Sequence, residues 1–162
     1  MSEIKVRRVG GTEQDEKDLL EAFQAFWKAN NTLDIPALKE LWLDDDEAVY
    51  FNSNGFNYNG FKDWLGVWRY YGPRFRLIKE ASLSEVQMFV DNEVAVVLDG
   101  AVERLYEVDG EVDGPPIASH PLMRGTMVYR KIDGKWWCVH AHYSPKAIEG
   151  TRPWAPEEGA EA

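Results

Sequence analysis

The chain has 162 residues, enough for one domain with a single core, and 44% of them are hydrophobic and 13% aromatic. Its net charge of −10 and its lack of any Lys/Arg run exclude the basic face that a nucleic-acid partner needs. No stretch approaches the roughly 18 apolar residues of a membrane span, Met1 to Gly11 lacks the apolar run of a signal peptide, and the lone Cys138 excludes an internal disulfide, so the cytoplasm is the expected compartment.

Residues 1–11 are expected to be a tail. A first helix is predicted from about Glu13 to Asn30, opened by a Thr12/Asp15 capping box, with Leu19, Leu20, Phe23, Phe26 and Trp27 in one apolar stripe. Asp34 then caps a second helix with Pro36 in its first turn and Leu38, Leu41 and Trp42 on its buried face. Asp44-Asp45-Asp46 ends it. The period changes to two at Ala48 to Asn52, and Asn54-Gly55 turns the chain back through Phe56 to Tyr58. Gly60 opens a third helix, Phe61 to about Tyr71, with Phe61, Trp64, Leu65 and Trp68 on one face; Gly72-Pro73 stops it. Strands follow at about Arg76 to Val90, Val94 to Tyr106, Leu122 to Lys131 and Trp136 to Ser144. The Gly- and Pro-rich loop Val108 to His120 interrupts them and could act as a lid. The stretch 149–162 is expected to be a flexible acidic tail after a single domain over 12–148. Helices followed by strands in this order predict an α+β fold with an antiparallel sheet.

Register decides which side chains face the helices. A three-residue turn at Ile132-Asp133-Gly134 puts Trp137, Val139, Ala141 and Tyr143 on one face with Met123, Gly125, Met127 and Tyr129. The opposite face then carries Trp136, Cys138, His140, His142 and Ser144 with Arg124, Thr126, Val128 and Arg130. A like turn at Asp91-Asn92-Glu93 aligns Val86, Met88 and Val90 with Val94, Val96 and Leu98. Continued without a bulge, that face reaches Gly100, Val102 and Arg104, and Asp99 falls outside.

The closing stretch Asp133 to Ser144, Asp-Gly-Lys-Trp-Trp-Cys-Val-His-Ala-His-Tyr-Ser, resembles the last strand of SnoaL-like domains. It is similar to the association domain of the calcium/calmodulin-dependent kinase, where a Trp is followed by Val-His-x-His-x-Ser. The Asn54-Gly55 hairpin leading to Gly60 and an aromatic helix fits as well, and the resemblance covers about residues 13–147. It implies a cone-shaped fold of the nuclear-transport-factor-two type, a curved antiparallel sheet wrapped over three helices. Polyketide cyclases, ketosteroid isomerases, dehydratases and non-catalytic association domains share that fold, so fold does not decide function. The resemblance also implies dimerisation through the outer sheet face. The kinase domain carries arginine where this chain has Met127 and Tyr143, so its anion-binding cluster is not reproduced; Arg104 is the one nearby match. No equivalent of the isomerase Asp and Tyr pair aligns.

The candidate ligand residues are Tyr50, Asn52, Trp64, Trp68, Arg104, Met127, Tyr129, Trp137 and Tyr143. Aromatics in this number suit either an ordinary core or a pocket holding a small apolar molecule, with Arg104 placed to meet an anionic group. Arg124, Trp136, His140 and His142 are the candidate homodimer face. A metal is not expected: His140 and His142 need a third ligand, His120 lies roughly 17 Å away along the strand, and Arg124 would repel a cation. Nothing implies a cofactor. Asp63, in the first turn of the third helix, suits a cap better than a base. The function expected is therefore ligand binding, extending to cofactor-independent isomerisation, cyclisation or dehydration; the alternative is a non-catalytic association module.

Overall fold

A computed structural model describes residues 4–108 and 122–147. The lid expected at 108–120 and the tail at 149–162 lie outside these residues, apart from Val108.

Residues 5–10, expected within a tail, form strand β1 (Lys5–Gly10). Helix α1 (Glu13–Thr32) opens with the expected capping box: the Asp15 N–H donates to Thr12 Oγ1 at 3.1 Å, and the Thr12 N–H donates to Asp15 Oδ2 at 3.0 Å. Leu33, in the left-handed region at φ 52°, ends it. Asp34 caps α2 (Ile35–Lys39) through the Ala37 N–H. This helix is shorter than its apolar spacing suggests, because Leu41 to Leu43 leave it to pair with Cys138 of the last strand, with Cys138 N donating to Leu41 O and Leu43 N to Cys138 O, each at 2.9 Å. Then come β2 (Val49–Phe51), β3 (Asn57–Asn59), α3 (Phe61–Tyr71), β4 (Phe75–Ser82), β5 (Glu85–Asp91), β6 (Val94–Val108), β7 (Leu122–Ile132) and β8 (Lys135–Pro145).

The fold is α+β, with three helices against a mixed sheet of eight strands among the described residues. The order is β1-β5-β6-β7-β8-β2-β3, with β4 pairing β6 beyond the end of β5. The β1–β5 and β2–β8 pairs are parallel and the rest antiparallel. The single strand expected over 76–90 is two. β5 pairs with Val94 to Asp99 of β6, β4 pairs with Glu103 to Val108, and the chain breaks between them at Leu83-Ser84. No helix among the described residues is long and apolar enough to cross a membrane.

Both expected hairpin registers are corrected. Asp91 pairs with Val94, a two-residue turn, with Asn92 at φ 45°. Val86, Met88 and Val90 therefore lie beside Asp99, Val97 and Ala95, while Val94, Val96 and Leu98 turn outward. Asp99 faces the core, not the outside, and is 1% exposed. The β7–β8 turn is also two residues, Asp133-Gly134, both at positive φ as a type I′ turn requires. Trp136 and Cys138 thereby enter the core, and Trp137 turns outward. A bulge at Val139 then shifts the ladder by one residue, so Ala141 and Tyr143 return inward beside Met127 and Gly125.

One ion pair ties the helix start to this hairpin. Lys131 Nζ donates to Asp15 Oδ1 at 2.7 Å, and that contact, with the Thr12 bonds, holds the Asp15 carboxyl down at about 2. A carboxyl depressed from 3.8 to about 2 contributes stability that is full above pH 4 and lost as pH falls through 2. Asp15→Ala is expected to cost about 1–2 kcal/mol at pH 7. Urea unfolding should show that difference shrinking towards pH 2; a difference constant with pH would contradict the assignment.

Candidate functional site

A cavity of about 100 Å³ opens where the end of α1, α3 and the β2–β3 loop meet the ends of β6, β7 and β8. Its apolar wall is Phe26, Trp27, Leu33, Trp64, Val67, Trp68, Phe75 and Met123. Its polar wall is Asn30, Asn52, Ser53, Asn54, Tyr71, Arg104, Tyr106 and Tyr143. Among the described residues the lining holds no Asp, Glu or His.

Arg104 is the only charged group in that lining among the described residues, and it is 8% exposed. Its guanidinium lies over Phe75 at 4.8 Å and Tyr106 at 5.1 Å. Nη2 donates to the backbone oxygen of Asn30 at 2.5 Å, near the C-terminal end of α1. That helix has no basic residue in its last turn, so Arg104 supplies from β6 the cation its carbonyl end favours. Among the described residues Nε finds no partner and no carboxylate bonds the group. Burial pulls its pKa down to about 10, which leaves it charged at neutral pH.

Tyr143 stacks on Phe26 (6.0 Å, 10°) and meets Trp27 edge-on at 5.7 Å. Its hydroxyl is buried without a partner among the described residues, and burial raises its pKa well above the phenol range. Gly125 makes room for this ring, since a Cβ there would stand 3.2 Å from Tyr143 Cε1. Trp68 Nε1 donates to Asn30 Oδ1 at 2.8 Å, so one asparagine holds Trp68 by its side chain and Arg104 by its backbone. Asn52 Oδ1 accepts from Ser53 N at 2.7 Å. Burial also raises the Tyr71 and Tyr106 phenols.

Of the residues expected to bind ligand, the fold brings Asn52, Trp64, Trp68, Arg104 and Tyr143 to the cavity. Tyr50, Met127 and Tyr129 lie in the core outside its lining: Tyr50 stacks on Trp64 at 5.1 Å, and the Tyr129 hydroxyl donates to Met127 Sδ at 3.6 Å. Trp137 is on the other side of the sheet, beneath Lys135 Nζ at 3.5 Å. Asn30, Ser53 and Asn54 were legible only as helix-exit and turn residues. Tyr106 had a usable signal, since it stands two residues after Arg104 on a strand and shares its face.

The outer face carries Arg124, His140 and His142 as expected. Trp136 is not there: it is 4% exposed in the core, with Lys131 Nζ 5.3 Å from its ring. His140 Nδ1 lies 2.5 Å from the Val49 oxygen, and Phe51 meets the rings of His140 and His142 edge-on at 5.2 and 5.5 Å. The ladder aligns Val9, Phe89, Val96, Val128 and His140 in one row across five strands. Phe89 is 42% and Val9 45% exposed.

Residues 19–148 match the SnoaL-like domain family. Three solved structures share the fold. A provisionally designated dehydratase of the NTF2-like family from Streptomyces avermitilis is 20% identical with a TM-score of 0.66, over 84% of this chain and 99% of that one. An NTF2-like protein from Cytophaga hutchinsonii is 14% identical with a TM-score of 0.63, over 84% and 100%. A provisionally designated calcium/calmodulin-dependent protein kinase type II association domain from Thiobacillus denitrificans is 22% identical with a TM-score of 0.54, over 78% and 93%. No curated protein matches the chain significantly.

Proposed function

The chain belongs to the SnoaL-like domain family, and on that premise we propose that its cavity binds a small, largely apolar molecule carrying one anionic group. The observation that carries this reading is Arg104, a charged guanidinium 8% exposed in an aromatic cavity with no carboxylate partner among the described residues. Burying a charge without a counter-charge is costly, and a ligand anion would offset that cost. The nearby α1 carbonyl end already offsets part of the positive charge, which favours a monoanion over a dianion.

The lining supplies donors: Arg104 and the hydroxyls of Tyr71, Tyr106 and Tyr143. Such a set stabilises negative charge building on a ligand oxygen. Isomerisation, cyclisation or dehydration of the ligand without a cofactor is the chemistry it would serve. The structural neighbour designated a dehydratase is consistent with that class. The single cysteine, buried in the core, suits a reducing cytoplasm.

Native mass spectrometry of gently purified protein, followed by tryptophan-fluorescence titration with benzoate and with neutral benzyl alcohol, tests the reading. A ligand-sized extra mass, or saturable quenching by benzoate but not by the alcohol, supports it. No extra mass together with equal or absent responses to both probes overturns it.

The outer row through Phe89 and Val128 favours a second, compatible reading: a symmetric homodimer formed through the sheet. The exposed Val9 and Phe89 side chains in this row support that reading. Phe89→Glu is expected to convert dimers to monomers in size-exclusion chromatography with light scattering. A variant that stays dimeric would move the interface elsewhere.

A further inference from the structure

Strand β6 changes face part-way along its length. Val97 (0% exposed) and Asp99 (1%) point into the core, and a period of two would next bring Ala101, Glu103 and Leu105 inward. Val102 and Arg104 are buried instead. The switch is a bulge. Asp99 pairs with Gly125 and Val102 with Met123, so Gly100 and Ala101 together oppose Arg124 alone. A one-residue slip sends every later side chain to the opposite face. Without the bulge, Arg104 would leave the cavity. Glu103 would take its place among aromatic rings and lose Lys79, which it meets at 2.7 Å.

Asp99 sits at the start of this bulge. Its Oδ1 accepts the Ala101 N–H at 2.7 Å, closing a short loop across Gly100. Its Oδ2 is buried with no hydrogen-bond partner among the described residues. On the ladder its neighbours are Val86 and Gly125, so an apolar residue would suit the place. A buried, half-satisfied carboxyl calls for an explanation. The bulge supplies one: only a short side chain with an acceptor oxygen can bond the N–H two residues ahead. The side of β6 that pairs with β5 and β4 is interrupted at this level. β5 ends its pairing at Asp99 and β4 begins at Glu103.

We propose that Asp99 is a positioning residue for the cavity: by accepting the Ala101 N–H it fixes the bulge that turns Arg104 inward. The functional consequence rests on the cavity being a ligand site, but the placement of Arg104 is measurable with no ligand present.

The full chain, labelled with nitrogen-15, provides the test. Arg104 lies against the rings of both Phe75 and Tyr106, so its Nε–H resonance, assigned by its loss in Arg104→Lys, should be ring-current shifted and slow to exchange. Asp99→Asn keeps the acceptor oxygen and should preserve that resonance. Asp99→Leu and Asp99→Ala remove the acceptor. In each, the resonance should join those of exposed arginines and exchange at least about tenfold faster. A folded Leu or Ala variant with an unchanged Arg104 signal overturns the proposal. So does loss of the signal in Asp99→Asn. If neither Leu nor Ala folds while Asn does, Asp99 is a general determinant of folding, and the positioning role is overturned as well. A benzoate titration of the same samples separates the two readings. Wild-type protein with the expected Arg104 signal, no ligand-sized extra mass and no response to either probe overturns the ligand reading alone. A Leu variant with the wild-type signal overturns the positioning role whatever benzoate does.

Discussion

Trp136→Ala is expected to lower the unfolding free energy by about 3–5 kcal/mol, whereas Trp137→Ala should cost under about 1 kcal/mol. The two residues are adjacent and identical in chemistry, so the difference measures register alone. Trp136 is 4% exposed, packed in the core with the Lys131 ammonium over its ring. Truncating it removes the transfer energy of a large aromatic and leaves a cavity. It also loosens Lys131, which holds Asp15 at the start of α1. Trp137 lies on the outer face, where Lys135 covers it at 3.5 Å. A surface cation–π contact is worth about 0.5–1 kcal/mol. Urea denaturation followed by circular dichroism reads both variants without depending on the tryptophan removed. Comparable costs, or a larger cost at Trp137, would mean that the hairpin takes the three-residue turn. The same experiment bears on the interface: Trp136→Ala should weaken the fold without selectively producing monomers.

Arg104→Met is expected to weaken benzoate binding by about 10- to 150-fold, the equivalent of losing a charge-assisted hydrogen bond of about 1.5–3 kcal/mol. Methionine keeps much of the volume against the Phe75 and Tyr106 rings but removes the charge. The cost to the fold should be smaller. Removing a desolvated cation relieves a penalty, while freeing the Asn30 carbonyl at the end of α1 adds one. Arg104→Lys should not restore binding fully, because an ammonium cannot stack on two rings while also donating in a plane. The pH dependence should be flat. Burial lowers the Arg104 pKa only to about 10, so the positive charge and the anion affinity are expected to stay constant from pH 6 to 9. Fluorescence titration across that range checks both. Equal affinity in the wild type and Arg104→Met would leave Arg104 as a helix-end cation only.

These two residues show what a linear reading captures and where it stops. The stripe from Leu19 to Trp27, the Thr12 and Asp34 caps, the Asn54-Gly55 turn and the aromatic face of α3 were all legible. Each depends on side chains within one or two turns of their backbone partners. Arg104 was rightly placed inward, but by a wrong register and without the bulge that turns it there. Trp136 and Trp137 were exchanged because a two-residue turn at Asp133-Gly134 and a bulge at Val139 together mimic, at Tyr143, the face pattern of a three-residue turn. Alternation continues on either side of a bulge, so periodicity alone could not separate the two.

By itself the sequence determined the α+β class, the helices, the hairpins and the family resemblance, because local propensity and capping act over a few residues. Tertiary structure alone decided that β1 joins the sheet beside β5, that 76–90 splits into two strands, and that Asp99, Trp136 and Cys138 face the core. The physical reason is that register and bulges are settled between strands. A strand carries the same alternating pattern whichever partner it meets, and only the burial of both faces at once, with their hydrogen bonds closed, selects one pairing.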